Sequence, residues 1–181
     1  IWSRLVGSEM CIRDSDRTFY YEVLPSNQLE LGLWLESERL LHANIDQKGV
    51  DTQNEVVKEE KRLRVDNQPY GSFLAEMNKR AFKKHPYRWT TIGEMEHLDA
   101  ATLQEFMDFY HKFYVPENAI LSIAGDIEIE STKSMIEAYF GSIPRGKQKI
   151  EPITIVEPPL GGEVRDTIYD NIQLPGVMMA Y

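Results

Sequence analysis

A single carboxylate, Glu60, is the residue whose type and position most strongly suggest chemistry. The sequence predicts a helix that is capped by Asp51 and runs to about Arg64. At about 100° per residue, one side of this helix is mostly apolar and has Glu60 near its centre. That side consists of Gln53, Val56, Val57, Glu60, Leu63 and Arg64, and the opposite side of Glu55, Lys58, Glu59 and Arg62. A carboxylate in an apolar stripe must be paired, protonated or bound to a metal, because burying it alone costs too much free energy.

The alternative role for Glu60 is an ordinary ion pair. Arg64 lies four residues later on the same helix, and this spacing permits a salt bridge between the two side chains. Helical spacing therefore leaves both the ion pair and the metal ligand open.

The histidines lack the spacing of a zinc site, for which two ligands at short helical spacing are typical. There is no His-x-x-x-His or His-Glu-x-x-His among His42, His85, His97 and His111. Glu96-His97 imitates the end of a His-x-x-Glu-His motif, but Gly93 occupies the first ligand position. We expect this pair in a turn before a helix capped by Asp99. His42 and His111 fall near predicted helix C-termini, where the dipole suits a partly charged imidazole, and His85 falls in a loop. A structural role is favoured for all four.

Composition excludes several other kinds of site. The 181 residues include 20 Lys and Arg against 29 Asp and Glu, a net charge of −9, which disfavours nucleic acid as a partner. The single cysteine, Cys11, excludes an internal disulfide framework and a cysteine-cluster metal site. The chain contains neither a Gly-x-Ser-x-Gly nucleophile motif nor a phosphate-binding loop ending in Lys-Ser/Thr. No apolar run approaches the roughly 20 residues of a transmembrane segment.

The elements that must position Glu60 are mostly helical in the first part of the chain. Hydrophobic periodicity predicts helices over residues 26–43, 51–64, 73–82, 99–113 and 129–140, and strands over 119–124, 163–169 and 177–181. Pro144 to Gly162, rich in proline and glycine, is typical of a linker. We therefore predict an α/β (α+β) fold.

The first fifteen residues show neither helical nor strand periodicity and lack a signal-peptide pattern. The stretch Val6 to Ser15 resembles a junction sequence that recurs in translated assembly fragments. We expect residues 1–15 to be a non-native leader, the alternative being a native, disordered N-terminal arm.

Five stretches, in this order, resemble the insulinase/pitrilysin family of zinc metallopeptidases. The first, from Gln53 to Arg62, is similar to the segment that carries the family's third zinc ligand, and the others are His85-Pro86-Tyr87, Thr91-Ile92-Gly93, Leu103 to Asn118 and Ile120 to Asp126. The resemblance covers about residues 16–181. It implies a partial homology domain, with helices packed on a mostly antiparallel sheet and truncated at both ends. Residues 16–97 would be the later part of the N-terminal peptidase block, and 98–181 the start of the second block.

The resemblance implies Zn²⁺ as cofactor and Glu60 as its ligand in this chain. In the family, an inverted His-x-x-Glu-His motif supplies two further ligands and the general base. That motif is absent from the 59 residues before Glu60, so no catalytic residue is expected in this chain. Gln53 stands where the family often has a second glutamate, and its amide can hydrogen-bond close to the metal ligands.

Two functions follow from the resemblance. In the first, the chain is a fragment of a zinc-dependent metalloendopeptidase that hydrolyses peptides or small proteins, inactive by itself. In the second, it is a non-catalytic half or subunit that packs against an active partner and holds substrate. Both imply a peptide substrate and a second homologous half-domain. A periplasmic, envelope or secreted location is suggested by the family alone.

Overall fold

The computed structural model describes residues 10–13 and 15–181. They divide into two compact units, each made of two separate stretches of chain. The first unit takes the described part of Ile1–Asp46 together with Thr102–Glu151, and the second takes Gln47–Ala101 together with Pro152–Tyr181.

The first unit combines a short β-ribbon with three helices. Strands β1 (Met10–Arg13) and β2 (Thr18–Tyr21) pair antiparallel. Helices α1 (Leu29–Leu41) and α6 (Ile129–Phe140) pack against each other, and the Tyr139 hydroxyl donates to a Glu30 carboxylate oxygen at 2.8 Å. Leu33 on α1 and Val115 are the buried apolar residues described in this unit. Its core is therefore small.

Helix α5 (Leu103–Phe113) belongs to the same unit and is fixed by its hydroxyl and ring contacts. The Tyr110 hydroxyl donates to the Arg39 carbonyl oxygen of α1 at 2.8 Å. Just beyond the helix, the Tyr114 and Tyr20 hydroxyls lie 2.5 Å apart, and the Arg39 guanidinium lies 4.1 Å from the centre of the Tyr20 ring. Burial raises the pKa of Tyr110, so its hydroxyl remains a hydrogen-bond donor.

The second unit contains α2 (Gln47–Lys61), α3 (Phe73–Ala81) and α4 (Met95–Ala100). A π-helical turn, Arg62–Asp66, continues α2, and the Asn67 N–H closes it on the Arg62 carbonyl oxygen at 2.9 Å. α2 packs against α4, where the Asn54 side-chain amide donates to the Leu98 carbonyl oxygen at 3.1 Å. Residues 152–181 form neither helix nor strand.

The predicted helices-on-sheet architecture is wrong for the described residues, which are dominated by helix. The one sheet described is the β1–β2 ribbon. Residues 119–124, 163–169 and 177–181, which we expected to be strands, lie outside any ladder. Their apolar and β-branched side chains favour extended backbone, but a strand also requires a partner strand, and the described residues provide no paired strand for them.

Three helices agree with the sequence prediction, and two differ at their N-terminal ends. α1, α3 and α6 lie within two or three residues of the expected bounds. α2 begins at Gln47, so Asp51 is inside the helix, where it accepts from the Gln47 side-chain amide at 2.7 Å. α5 is capped by Thr102 and not by Asp99, because Thr102 and Glu105 form a reciprocal capping box.

The expected leader over residues 1–15 and the expected domain boundary both stay predictions. Of the expected leader, residues 1–9 and 14 lie outside the described residues, and residues 10–13 form β1. The division at residue 98 likewise stays a prediction. The linker over residues 144–162 contains no helix or strand, as expected.

Candidate functional site

The candidate site is centred on α2, which carries both Gln53 and Glu60. Its sequence supports a helix because side chains three or four residues apart pair along it. The Thr52 hydroxyl donates to the Lys48 carbonyl oxygen at 2.7 Å, and the Lys58 ammonium donates to a Glu55 carboxylate oxygen at 2.7 Å. The π-helical turn then ends the helix directly after Glu60 and Lys61.

Glu60 lies on a partly open face of α2 and not in a core. Its side chain is 41% exposed, and one carboxylate oxygen is 2.7 Å from an Arg64 guanidinium nitrogen. The ion pair that the spacing permits is therefore present. Val56 and Leu63 on the same face are 53% and 56% exposed, and Gln53 is exposed. The predicted burial of this stripe is wrong, whereas the role of Glu60 as a metal ligand stays a prediction.

Of the side of α2 that the sequence pattern assigned to solvent, Lys58 lies against the protein, whereas Glu55, Glu59 and Arg62 are exposed as predicted. Lys58 and Lys61 are each only 13% exposed at their side chains. Lys58 pairs with Asp99 of α4, and the hydrogen bonds from Lys58 to Asp99 and Glu55 raise the pKa of Lys58. The Lys61 ammonium nitrogen lies 3.9 Å from a Glu94 carboxylate oxygen. Lysine stems can cover apolar surface while their ammonium groups reach acidic partners, so the charge of Lys58 did not indicate an exposed side chain.

The histidines occupy structural positions. His42 is the C-cap of α1, with Nδ1 2.8 Å from a Glu38 carboxylate oxygen, and His111 lies in the last turn of α5, as predicted. His97 lies inside α4 and not in a turn, with its ring 6.2 Å from that of Trp89. His85 caps the 3₁₀ turn Pro86–Arg88 by accepting from the Tyr87 N–H.

The described residues do not form a complete zinc site by themselves. Over residues 10–13 and 15–181, no group of three or more His, Cys, Asp or Glu side chains could hold a metal ion. A catalytic zinc ion needs three protein ligands, so the described residues do not supply the full set among themselves.

One residue with unusual geometry, Glu157, was missed by sequence reasoning. Its carboxylate accepts three consecutive backbone N–H groups, those of Lys83, Lys84 and His85, at 2.6 to 2.9 Å. Burial opposes ionisation, but the three N–H donors outweigh it and lower the pKa of Glu157. A lone glutamate before Pro158 in a predicted linker carries no signal that could have revealed these contacts.

Two comparisons with known sequences agree, since each finds proteins described as peptidases or proteases. Residues 100–181 match the sequence model described as "Peptidase M16 inactive domain". The chain is 28% identical over 183 aligned residues to "Zinc protease PqqE" of Helicobacter pylori, and the alignment covers all of this chain and 41% of that protein. The chain therefore spans well under half the length of that relative.

Solved structures agree with these sequence matches. A protease from Helicobacter pylori superposes with a TM-score of 0.79 at 29% identity, covering 84% of this chain and 37% of that one. The first half of the periplasmic protease PqqL from Escherichia coli superposes with a TM-score of 0.66 over 80% of this chain and 32% of that one. Its 18% identity supports the fold alone. Within the described ranges, no helix has the length and apolar character needed to cross a bilayer.

Proposed function

Since the chain belongs to the insulinase/pitrilysin (M16) family of peptidases, we propose that it is part of a zinc-dependent metalloendopeptidase and contributes Glu60 as a metal ligand. The relatives named as zinc proteases support the reaction class. The observation that carries the role of Glu60 is its position. It lies on a different side of α2 from the residues that contact α4, with a single described ion pair, and has exposed apolar neighbours on either side.

The residues of this chain would act by binding and orienting. Glu60 would exchange its contact with Arg64 for the metal, a small rearrangement because an exposed i,i+4 pair contributes little free energy. Gln53 lies two turns earlier on the same helix, from where its amide would hydrogen-bond to a group beside the metal. When bound, zinc polarises the scissile carbonyl and lowers the pKa of water towards 7. The remaining ligands and the general base would come from outside the described residues.

The proposed substrate is a peptide or small protein, held between this half and a second homologous half. The two-half arrangement and a periplasmic or envelope location are proposed from the family resemblance, since the Escherichia coli neighbour at 18% identity supports the fold alone. The acidic net charge of −9 makes nucleic acid an unsuitable partner.

The first prediction compares adjacent glutamates of α2 in the full-length protein. Glu60→Gln removes a charged oxygen donor, and we expect zinc content to fall well below one ion per chain and peptide cleavage to fall by at least about 100-fold. Zinc content is measured by elemental analysis and cleavage with a quenched fluorescent peptide.

Glu59→Gln is the matched control. Glu59 forms a comparable exposed pair with Arg62 at 3.2 Å, so this variant should keep both zinc and activity. Unchanged zinc content in Glu60→Gln would contradict the assignment of Glu60 as a ligand.

The second candidate function is a non-catalytic half that packs against an active partner. It is favoured by the match of residues 100–181 to a domain described as inactive, and by the Glu60–Arg64 ion pair. In that case the full-length protein contains no zinc before any substitution, and the activity of the complex depends on adding the partner. Zinc analysis of the unsubstituted protein therefore separates the two functions.

A further inference from the structure

Arg64 is the cationic side chain that shares the Glu60 side of α2. It lies in the π-helical turn, and one of its guanidinium nitrogens is 2.7 Å from a Glu60 carboxylate oxygen. This ion pair is the contact described for Arg64, whose side chain is otherwise largely exposed. Arg64 therefore loses its described partner whenever Glu60 binds another group.

The two neighbouring lysines have partners that do not depend on Glu60. Lys58 pairs with Asp99 of α4, and the Lys61 ammonium nitrogen lies 3.1 Å from an Asp66 carboxylate oxygen. Both lysine side chains are mostly buried. A change in the contacts of Glu60 leaves these pairs intact. By the described contacts, Arg64 is thus the one of these three cations that such a change releases.

Apolar side chains lie beside the Glu60–Arg64 pair. Val56 is four residues before Glu60 and Leu63 is three residues after it, and both side chains are more than half exposed. They share a side of the helix with Glu60, because residues three and four apart are neighbours on a helix surface. This surface therefore offers an apolar contact and, once Glu60 is engaged elsewhere, a guanidinium beside it.

On the basis of the proposed role of Glu60 as a metal ligand, we propose that Arg64 determines specificity by binding an acidic side chain of the peptide substrate. Once Glu60 is bound to the metal, a substrate carboxylate replaces it as the partner of Arg64. A guanidinium suits this exchange because it stays charged and pairs with a carboxylate through two parallel N–H donors. Val56 and Leu63 favour an apolar residue next to the acidic one. The substrate class is therefore peptides with adjacent acidic and apolar residues.

The first test needs no metal, because Glu60→Gln also frees Arg64. The full-length protein is freed of metal with a chelator, and peptide binding is measured by fluorescence anisotropy. The probes are two fluorescein-labelled peptides that are identical except for a glutamate or a glutamine beside a central leucine. We expect the glutamate peptide to bind Glu60→Gln about fivefold more tightly than the unsubstituted protein, and the glutamine peptide to bind both equally.

Glu59→Gln is the matched control, because it removes the same charge and breaks a comparable pair, that of Glu59 with Arg62 at 3.2 Å. It should leave the affinity for the glutamate peptide unchanged. In the double variant Glu60→Gln, Arg64→Gln the gain in affinity should disappear. A gain in Glu59→Gln, or a gain that persists in the double variant, overturns the proposal, because net charge and not Arg64 would then be responsible.

The second test uses the zinc-loaded full-length protein and quenched fluorescent versions of the same peptides. Arg64→Gln should raise KM for the glutamate peptide about fivefold, with kcat and zinc content unchanged and no effect on the glutamine peptide. An equal change in KM for both peptides overturns the proposal. Absence of zinc from the unsubstituted protein would instead contradict the role of Glu60, whereas the metal-free measurement decides separately whether Arg64 binds the acidic peptide.

Discussion

At the scale of single residues, the structure explains why Glu60 and Glu157 differ as carboxylates. Both occur in segments where a charge is unexpected, yet Glu60 has one arginine partner and Glu157 has three backbone donors. Backbone N–H groups cannot move away to solvent as an arginine side chain can. Glu60 is therefore available for exchange with another ligand, whereas Glu157 is committed to its present contacts unless the backbone itself moves.

The capping box of α5 gives a prediction at this scale. Thr102→Ala removes the side-chain acceptor of the Glu105 N–H, and we expect the free energy of unfolding to fall by about 1 kcal/mol. Chemical denaturation monitored by circular dichroism measures this loss. Thr102→Ser keeps the hydroxyl and should restore most of the stability, so equal losses in both variants would contradict the role of the cap.

The same box also predicts a dependence on pH. The backbone N–H and then the hydroxyl of Thr102 lower the pKa of Glu105. A carboxylate whose pKa is lower in the folded state stabilises the fold above its ordinary pKa, and this contribution is lost as the pH falls through the lowered value. We expect Glu105→Gln to reduce stability at neutral pH and to have little effect in strong acid, as measured by denaturation at both pH values.

At the scale of elements, the orientation of α2 is set by its contacts with α4. Asn54 binds the Leu98 carbonyl, Lys58 pairs with Asp99 and Lys61 lies near Glu94, all on one side of the helix. These contacts fix the rotation of α2 about its axis. Gln53 and Glu60 lie on a different side of α2 from these contacts.

Asn54→Ala should weaken this attachment. The variant leaves the Leu98 carbonyl without its side-chain donor, and we expect a loss of about 1 kcal/mol in the free energy of unfolding. Gln53→Ala, on the exposed face of the same helix, is the matched control and should be close to neutral. Hydrogen exchange in α4 should rise in the first variant alone; a rise in both would show that helix propensity and not the contact is responsible.

The sequence predicted helices more reliably than it predicted which of their faces is buried. The existence of α1, α3 and α6 follows from local periodicity and from a stop signal such as Gly141. Which face of α2 packs against the protein does not follow from local periodicity. That face is formed by Asn54, Lys58 and Lys61, whose partners lie 33 to 44 residues further along the chain. The pairing of Glu60 with Arg64 was foreseeable because it is local, whereas the contacts of Glu157 span more than 70 residues.

At the scale of the whole molecule, the second unit depends on charge to join separate segments. A continuous series of ion pairs runs from the π-helical turn through α2, the start of α4 and α3 to Asp166 in residues 152–181, with nitrogen–oxygen distances between 2.5 and 3.9 Å. Its members, in order, are Asp66, Lys61, Glu94, Lys79, Glu76, Arg80 and Asp166. The described pairs of the first unit mostly join residues two to four positions apart, such as Glu36 with Arg39.

Salt should therefore affect the two units differently. Raising sodium chloride from 0.1 to 1 M screens exposed ion pairs, and we expect amide exchange in α3 to increase severalfold while α5 changes little. Hydrogen-exchange mass spectrometry at the two salt concentrations measures both helices in one sample. Sodium sulfate is unsuitable as the salt because it also strengthens apolar burial. Equal increases in α3 and α5 would indicate a general effect of salt and no special role for the ion-pair series.

The division of each unit between two stretches of chain has a consequence for synthesis and for cleavage. The first unit lacks part of its second stretch until residue 151 has emerged from the ribosome, and the second unit lacks residues 152–181 until they have followed. Residues 47–101 of the second unit are synthesised before the first unit is complete, so neither unit can finish folding before synthesis of the other has begun. A single protease cut between α1 and α2 likewise separates no unit from the rest. Each fragment would keep part of the first unit, and the nicked protein would remain one particle for as long as those parts hold together.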